Sequence, residues 1–172
     1  MLGPEALRAK KIDHSDLRIR QAEIPCPEFN RFLYTSVGGQ WYWCDRLTWI
    51  YNCWMTYLNR PKLQTWVAYL TGTPAGYFEL EEQGEGNVEI AYFGLLPQFV
   101  GQGLGAHLLT IAVEQTWEMG ASRVWVHTCS LDRPYAYKNY ESRGFSLYDT
   151  QAILRELAPQ PPGPWPESYQ QP

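Results

Sequence analysis

A run of alternating glycines is the clearest candidate for chemistry in this chain. Gly101, Gly103 and Gly105 alternate with single residues between a strand-like stretch, 88–95, and an apolar helix. Glycine lets the backbone turn sharply, and the free N–H groups at a helix start attract anions. The spacing predicts a cradle for the pyrophosphate of a cofactor. Its members are Gly101, Gln102, Gly103, Leu104, Gly105 and Ala106.

The turn differs from the two common nucleotide motifs. It has no Gly-Lys-Ser/Thr ending, and the strand before it belongs to a predicted meander rather than a βαβ unit. A kinase or a dehydrogenase is therefore disfavoured. Glycine-rich turns before helices also serve packing alone, so the turn by itself leaves that alternative open.

Two glutamates on neighbouring predicted strands are candidates for a general base. If the turn between the strands is centred on Gly84, Glu79 lies opposite Glu89, and facing carboxylates raise the pKa of one of the pair. Alternation places Glu89, Ala91 and Phe93 on one face of their strand. The alternative is the solvated polar face of an antiparallel sheet, which suits these acids equally well.

Aromatic residues and one histidine are candidates for binding an acceptor. Trp41 and Trp43 follow a Gly-Gly turn in a predicted loop, and Tyr34 lies in the helix before it. Loop aromatics often line sites and bind apolar or cationic groups, and Asp45 is a nearby anion. His127, near the end of a later strand, is either a site residue or a buried, hydrogen-bonded histidine. The alternative for the rings is that they cover the sheet.

Strands and helices that position these residues follow from hydrophobic periodicity and from turn and cap residues. The three strands at 65–70, 75–81 and 88–95 are separated by short turns and predict an antiparallel meander. Strands are predicted at 17–22, 65–70, 75–81, 88–95 and 123–128, with a final one from Phe145. Helices are predicted at 27–37, 103–119 and 134–142, and at 48–59 with Thr48 as its cap.

Composition limits the domain count and the partners. The 172 residues, 45% of them hydrophobic, suit one domain over 16–157, after a flexible segment 1–15 and before a Pro-rich, disordered tail 158–172. A net charge of −4 without a dense basic patch argues against nucleic acid. No apolar run approaches the roughly 20 residues that a membrane span needs.

Cysteine and histidine spacing predicts neither a metal site nor an oxidising compartment. The four cysteines lack paired C-x-x-C spacing, and no signal peptide precedes them. Reduced cysteines and a cytoplasmic location are therefore expected.

Two motifs together resemble the GNAT superfamily of acyl-CoA-dependent N-acetyltransferases. The signature Gln/Arg-x-x-Gly-x-Gly/Ala falls on residues 100–105, with Val100 at the Gln/Arg position, and Ala-x-x-x-Tyr-x-x-x-Gly-Phe falls on 136–145. The resemblance covers 17–148, although Arg133 stands where many members have Asn. It implies an α/β (α+β) fold, with a mixed, mostly antiparallel sheet splayed between strands 4 and 5, about four flanking helices, and acetyl-CoA in the gap.

Roles for individual cofactor-binding and catalytic residues also follow from the resemblance. The pantetheine arm would pair with the backbone of Phe93, Gly94 and Leu95, and Asn139 would join the cofactor site. Tyr140 would protonate the departing thiolate, with packing of its helix as the alternative. Glu89 matches the general base of the histone-acetylating branch, whereas Glu79 or water would be the base otherwise.

Direct transfer of an acetyl group from acetyl-CoA to a primary amine of a small molecule is the expected reaction. Trp41, Trp43, Tyr34 and His127 would contact the acceptor, and no metal is needed. One alternative is acetylation of a protein N-terminus or lysine, and another is a non-catalytic acyl-CoA sensor. Edge strands and exposed aromatics favour a homodimer.

Overall fold

Five strands and four α-helices make up the computed structural model, which describes residues 1–165. The strands are β1 Leu17–Gln21, β2 Leu63–Leu70, β3 Thr73–Glu82, β4 Asn87–Leu95 and β5 Arg123–Trp125. The helices are α1 Pro27–Gly38, α2 Tyr51–Leu58, α3 Leu104–Glu118 and α4 Ala136–Ser142. The predicted disordered tail 158–172 lies partly outside the described residues, since 166–172 are not described. None of the helices within 1–165 is long and apolar enough to cross a membrane.

One mixed sheet with strand order β1-β2-β3-β4-β5 forms the centre of the molecule. Strands β1 to β4 pair antiparallel in sequence order, and β5 pairs parallel with β4. Gly72, at φ 82°, closes the turn between β2 and β3. Gly84 and Gly86, at φ 92° and 72°, close the turn between β3 and β4, a backbone region that glycine adopts without strain. The predicted meander and the α/β fold class are confirmed.

Apolar side chains cover both faces of this sheet. On one face, Phe78 and Leu80 of β3 pack with Leu108 and Leu109 of α3. On the other face, Tyr77 of β3 packs with residues of α1 and β2. Successive β3 residues thus alternate between the two helical layers, as the period of a strand requires. The layer of α1 and α2 and the layer of α3 and α4 enclose the sheet between them.

A β-bulge in β4 changes which residues share a face. Glu79 pairs with Tyr92, whereas its neighbour Leu80 pairs with Ile90, so Ala91 has no partner on β3. An extra residue reverses the alternation of the strand beyond it. Side chains on either side of the bulge therefore do not follow a simple two-residue period.

Two predicted element boundaries and one predicted strand were wrong. Helix α2 starts after Ile50 rather than at Thr48, because residues 44–49 form tight turns before it. Strand β5 ends at Trp125 instead of 128, because the chain then turns away from the sheet. No strand follows α4 within the described residues. The outer edge of β5 is already paired, since the Met1 amino group donates to the Val124 carbonyl and the Val124 N–H donates to Met1.

Candidate functional site

The predicted glycine cradle lies between the end of β4 and the start of α3. Gly101 and Gly103 have φ of 88° and 81°, and a Cβ at either position would meet nothing within 4 Å. Glycine is therefore favoured here by backbone conformation and not by packing. Gly103 caps α3 without a side-chain hydrogen bond, so the first N–H groups of the helix are open to an anion. The Gln102 side chain folds back and donates to the Gln98 carbonyl at 2.9 Å.

Beside this cradle, β4 has one unpaired edge. Pairing between β4 and β5 ends at Glu89 and Trp125, whereas β4 continues along β3 to Leu95. The sheet is thus splayed over residues 90–95, which include Phe93 and Gly94. Helix α1 approaches closely behind the strand, because a Cβ on Gly94 would lie 2.4 Å from Val37 Cγ1. The open edge offers backbone groups to an extended ligand.

A cleft of about 450 Å³ opens where β4, the glycine turn and the start of α4 meet. Of the predicted site residues it contains Leu95 and Trp41. Sequence reasoning did not assign the other lining residues to the site, although it noted Val100 and Arg133 as unusual positions. The lining residues are Gln40, Trp41, Leu95, Pro97, Val100, Arg133, Pro134 and Tyr135.

Tyr140 lies buried in α4, with only 8% of its surface exposed. Its ring packs edge-on against Phe93 and Phe145, at centroid distances of 6.2 and 6.0 Å. Burial and the charge of Asp132 raise its pKa well above the usual value, so the hydroxyl keeps its proton at neutral pH. The next residue back, Asn139, donates to the Gly105 carbonyl at 3.4 Å and so connects α4 to the cradle.

Glu89 is joined to His127 at the point where β4 and β5 separate. His127 Nδ1 lies 2.7 Å from Glu89 Oε1, and the Gln83 amide donates to the other carboxylate oxygen. The hydrogen bond to Glu89 raises the pKa of His127; burial opposes this, and the charges of Glu89, Asp132 and Asp45 add to it. His127, predicted as a site residue or a hydrogen-bonded histidine, and Glu89, predicted as a candidate base, therefore form one acid–histidine pair. Sequence reasoning did not connect these two residues, because they lie 38 positions apart in the chain.

Glu79 does not face Glu89, so the predicted carboxylate pair was wrong. Glu89 pairs with Glu81, because the turn between the strands is centred on Glu85 and not on Gly84. Glu79 is fully buried, and its Oε2 accepts from Arg46 Nη1 and from the Tyr57 hydroxyl, each at 2.8 Å. The prediction that Glu89 and Phe93 share one face of the strand was also wrong. The bulge at Ala91 lies between them, and Phe93 packs on the α3 side.

Two of the aromatic residues predicted to bind an acceptor lie in the core. Tyr34 has no exposed surface, and its hydroxyl accepts from the Arg46 N–H at 3.3 Å. Trp43 packs on Tyr92 and Tyr34, at centroid distances of 4.9 and 5.5 Å. Tyr34 therefore has no surface for an acceptor, and Trp43 is mainly a packing residue. Trp41, which lines the cleft, is the one placed to contact a ligand.

Free cysteines and scattered acids complete the inventory of reactive groups. All four cysteines are free thiols, and no group of three or more His, Cys, Asp or Glu residues among residues 1–165 could hold a metal ion. The Asp45 carboxylate pairs with Arg155 on the surface.

Comparison with known proteins gives one family match and many structural matches. The acetyltransferase (GNAT) family matches residues 19–145. No curated protein sequence matches significantly.

Several similar structures are of acetyltransferases. The aminoglycoside acetyltransferase meta-AAC0020 from an uncultured soil metagenomic sample, in complex with sisomicin, has a TM-score of 0.66 and 16% identity, over 83% of this chain and 97% of that one. AAC(6')-Iy with the bisubstrate analogue CoA-S-monomethyl-acetylneamine has a TM-score of 0.62 and 17% identity, over 84% and 100%. The PaiA N-acetyltransferase of Thermoplasma acidophilum with coenzyme A has a TM-score of 0.57 and 16% identity, over 78% and 92%. At these identities the likeness shows the fold.

Proposed function

The chain belongs to the acetyltransferase (GNAT) family, and from this premise we propose that it transfers the acetyl group of acetyl-CoA directly to a primary amine of a small, cationic molecule. The observation that carries the proposal is the contact of 2.7 Å between His127 Nδ1 and Glu89 Oε1 at the point where β4 and β5 separate. This pair offers a proton acceptor, and the protonated hydroxyl of Tyr140 in α4 offers a proton donor. Amine acylation requires both groups.

The residues of the splay fit acetyl-CoA. Gly101 and Gly103 leave open space where a Cβ would otherwise project, and the N–H groups at the start of α3 face an anion. The unpaired edge of β4 over residues 93–95 suits the amide-containing pantetheine arm. When bound, the cofactor supplies an acetyl thioester, an activated acyl group.

Proton transfer from the amine is assigned to the pair of His127 and Glu89. The imidazole is the exposed member of the pair, whereas Glu89 is 7% exposed and accepts from Gln83. The carboxylate orients the ring and stabilises its protonated form. His127 Nε2 is therefore the proposed proton acceptor, acting directly or through water.

Tyr140 is the proposed proton donor. Its hydroxyl makes no hydrogen bond with any residue of the described chain, and its raised pKa keeps the proton on Oη. The phenol can give this proton to a departing thiolate, whose basicity lies near that of an ordinary tyrosine, although burial makes Tyr140 a weaker acid than an ordinary tyrosine.

A cationic acceptor is favoured by the charges around His127. Glu89, Asp132 and Asp45 all raise the pKa of this ring, and of the three Asp45 is also paired with Arg155. Polyamines and aminoglycosides carry several protonated amines, which such a set of carboxylates attracts. The similar structures solved with sisomicin and with a neamine analogue agree with this class of acceptor. We also propose that the protein acts in the cytoplasm, where its cysteines stay reduced.

Thiol release from acetyl-CoA tests the proposal. The panel would contain sisomicin, neamine, spermidine and a lysine peptide, with wild type and Tyr140→Phe side by side. We expect turnover of a cationic small molecule and a fall in kcat of about 100-fold in the variant. Turnover of the peptide alone would favour the protein acetyltransferase alternative. Tight CoA binding without any turnover would favour the sensor alternative.

A further inference from the structure

The phosphate cradle of this chain lacks a cation of its own. Residues 95–107, which run from the end of β4 into α3, include no Lys or Arg. His107 does not supply a charge, because burial and nearby Lys11 lower its pKa and its Nδ1 accepts from the Ile12 N–H at 3.3 Å. A pyrophosphate bound there would be held by backbone N–H groups alone.

Arg133 lines the cleft that adjoins this cradle. It is the one charged residue among those that line the cleft, and Val100 of the glycine turn lines it too. The guanidinium makes no ion pair or hydrogen bond within residues 1–165, so its donors are free for a ligand. An exposed arginine that lines a cleft beside an anion cradle, and that has no protein partner, is suited to bind a negatively charged group of a ligand.

Backbone and side-chain hydrogen bonds fix the position of the Arg133 segment relative to the cradle. The Arg133 carbonyl accepts from the Ala136 N–H at 2.8 Å, at the start of α4. Further along α4, Asn139 donates to the Gly105 carbonyl. The segment that carries Arg133 is therefore connected directly to the first turn of α3.

We propose that Arg133 binds the pyrophosphate of CoA and replaces the cation that the glycine turn lacks. The inference rests on the proposed function, since it assumes that CoA occupies the splay. The planar guanidinium can donate to two phosphate oxygens at once, which a lysine cannot. The cleft adjoins Leu95, Pro97 and Val100, between the β4 edge and the cradle, which places Arg133 at the pyrophosphate rather than at the more distant 3′-phosphate.

Calorimetric titration of the full chain with CoA, dephospho-CoA and pantetheine tests the assignment. For Arg133→Ala, the dissociation constants of CoA and dephospho-CoA should both rise about tenfold. That of pantetheine, which lacks every phosphate, should change less than about twofold, and Arg133→Lys should recover part of the loss. Arg20→Ala is the matched control, because Arg20 is an exposed arginine on β1 at the far edge of the sheet.

A second variant separates loss of the cation from other damage. Val100→Arg in the Arg133→Ala background places a cation at another position that lines the same cleft and should restore most of the CoA affinity. Thermal melting of each variant should match that of wild type, since Arg133 is exposed.

Several outcomes would overturn the inference. One is unchanged CoA binding by Arg133→Ala. Another is an equal loss with pantetheine, which would mean a packing role, and a third is a loss with CoA but not with dephospho-CoA, which would mean contact with the 3′-phosphate. Failure of the proposed function is distinct, because wild type would then not bind CoA or would bind it without acetyl transfer.

Discussion

Glu79→Gln removes the charge of a carboxylate that is fully enclosed by the protein. Glu79 has no exposed surface, and Arg46, its partner at 2.8 Å, is 4% exposed. Burial lowers the pKa of Arg46, but the charge of Glu79 and the neighbouring tyrosines together raise it more, so the guanidinium stays protonated. Its Cζ lies 3.9 Å from the ring centroid of Tyr57 and 4.1 Å from that of Tyr92. Once Glu79 is neutral, this cation is left buried without a counter-charge.

The expected loss of stability is large. Removing one partner of a buried ion pair costs about 3–5 kcal/mol, because the other charge is left uncompensated. Glutamine keeps one acceptor oxygen for Arg46 and Tyr57, so we expect the lower end, about 3 kcal/mol. The free energy of unfolding of a typical domain is about 5–15 kcal/mol. The variant should therefore remain folded but unfold at a clearly lower urea concentration.

Urea denaturation of wild type, Glu79→Gln, Arg46→Met and the double variant measures this effect. The double variant should be more stable than the sum of the single losses predicts, because it removes both charges. Acetyl transfer by the folded fraction of Glu79→Gln should stay near the wild-type rate. A loss below about 1 kcal/mol together with lost activity would refute the structural role and return Glu79 to the list of candidate bases.

Other predictions concern the acid–histidine pair and one tight packing site. Glu89→Gln should lower the raised pKa of His127. Because catalysis needs the neutral ring, the acidic limb of the pH profile of kcat/KM should move to lower pH. An NMR titration of the His127 ring checks the shift in pKa, and an acidic limb that does not move would exclude His127 as the base. Gly38→Ala places a Cβ 2.0 Å from the Trp43 ring and should cost about 1–3 kcal/mol in urea denaturation. Gly105→Ala, whose Cβ would lie 3.7 Å from its nearest neighbour, is the control and should not lose stability; equal losses in the two variants would contradict the packing argument.

Features that depend on short stretches of sequence were predictable. The turn at Gly101 and Gly103 follows from glycine itself, because few other residues adopt φ near 80°. The strand meander follows from alternation and turn residues, and the helix that contains Tyr140 follows from its motif. Element ends were less predictable, because pairing partners decide where a strand stops. Met1, distant in sequence, occupies the edge of β5 beside Val124.

Candidate site residues were identified by type, but their partners were not. The sequence supplied Glu89 and His127 as separate candidates, since nothing local relates residues 38 positions apart. It also paired Glu79 with Glu89, because a turn centred on Gly84 implies that register, whereas the structure centres the turn on Glu85 and pairs Glu81 with Glu89. Glu79 instead binds Arg46, and Glu89 binds His127.

The sequence alone determined the glycine turn, the order of strands and helices and the family resemblance, since these depend on neighbouring residues or on fixed spacing. Only the tertiary structure decided that Glu79 is buried with Arg46, that Glu89 meets His127, and that Arg133 and Val100 line one cleft. Contacts of this kind join residues far apart in the chain. Strand register and helix packing, rather than any local pattern, bring them together.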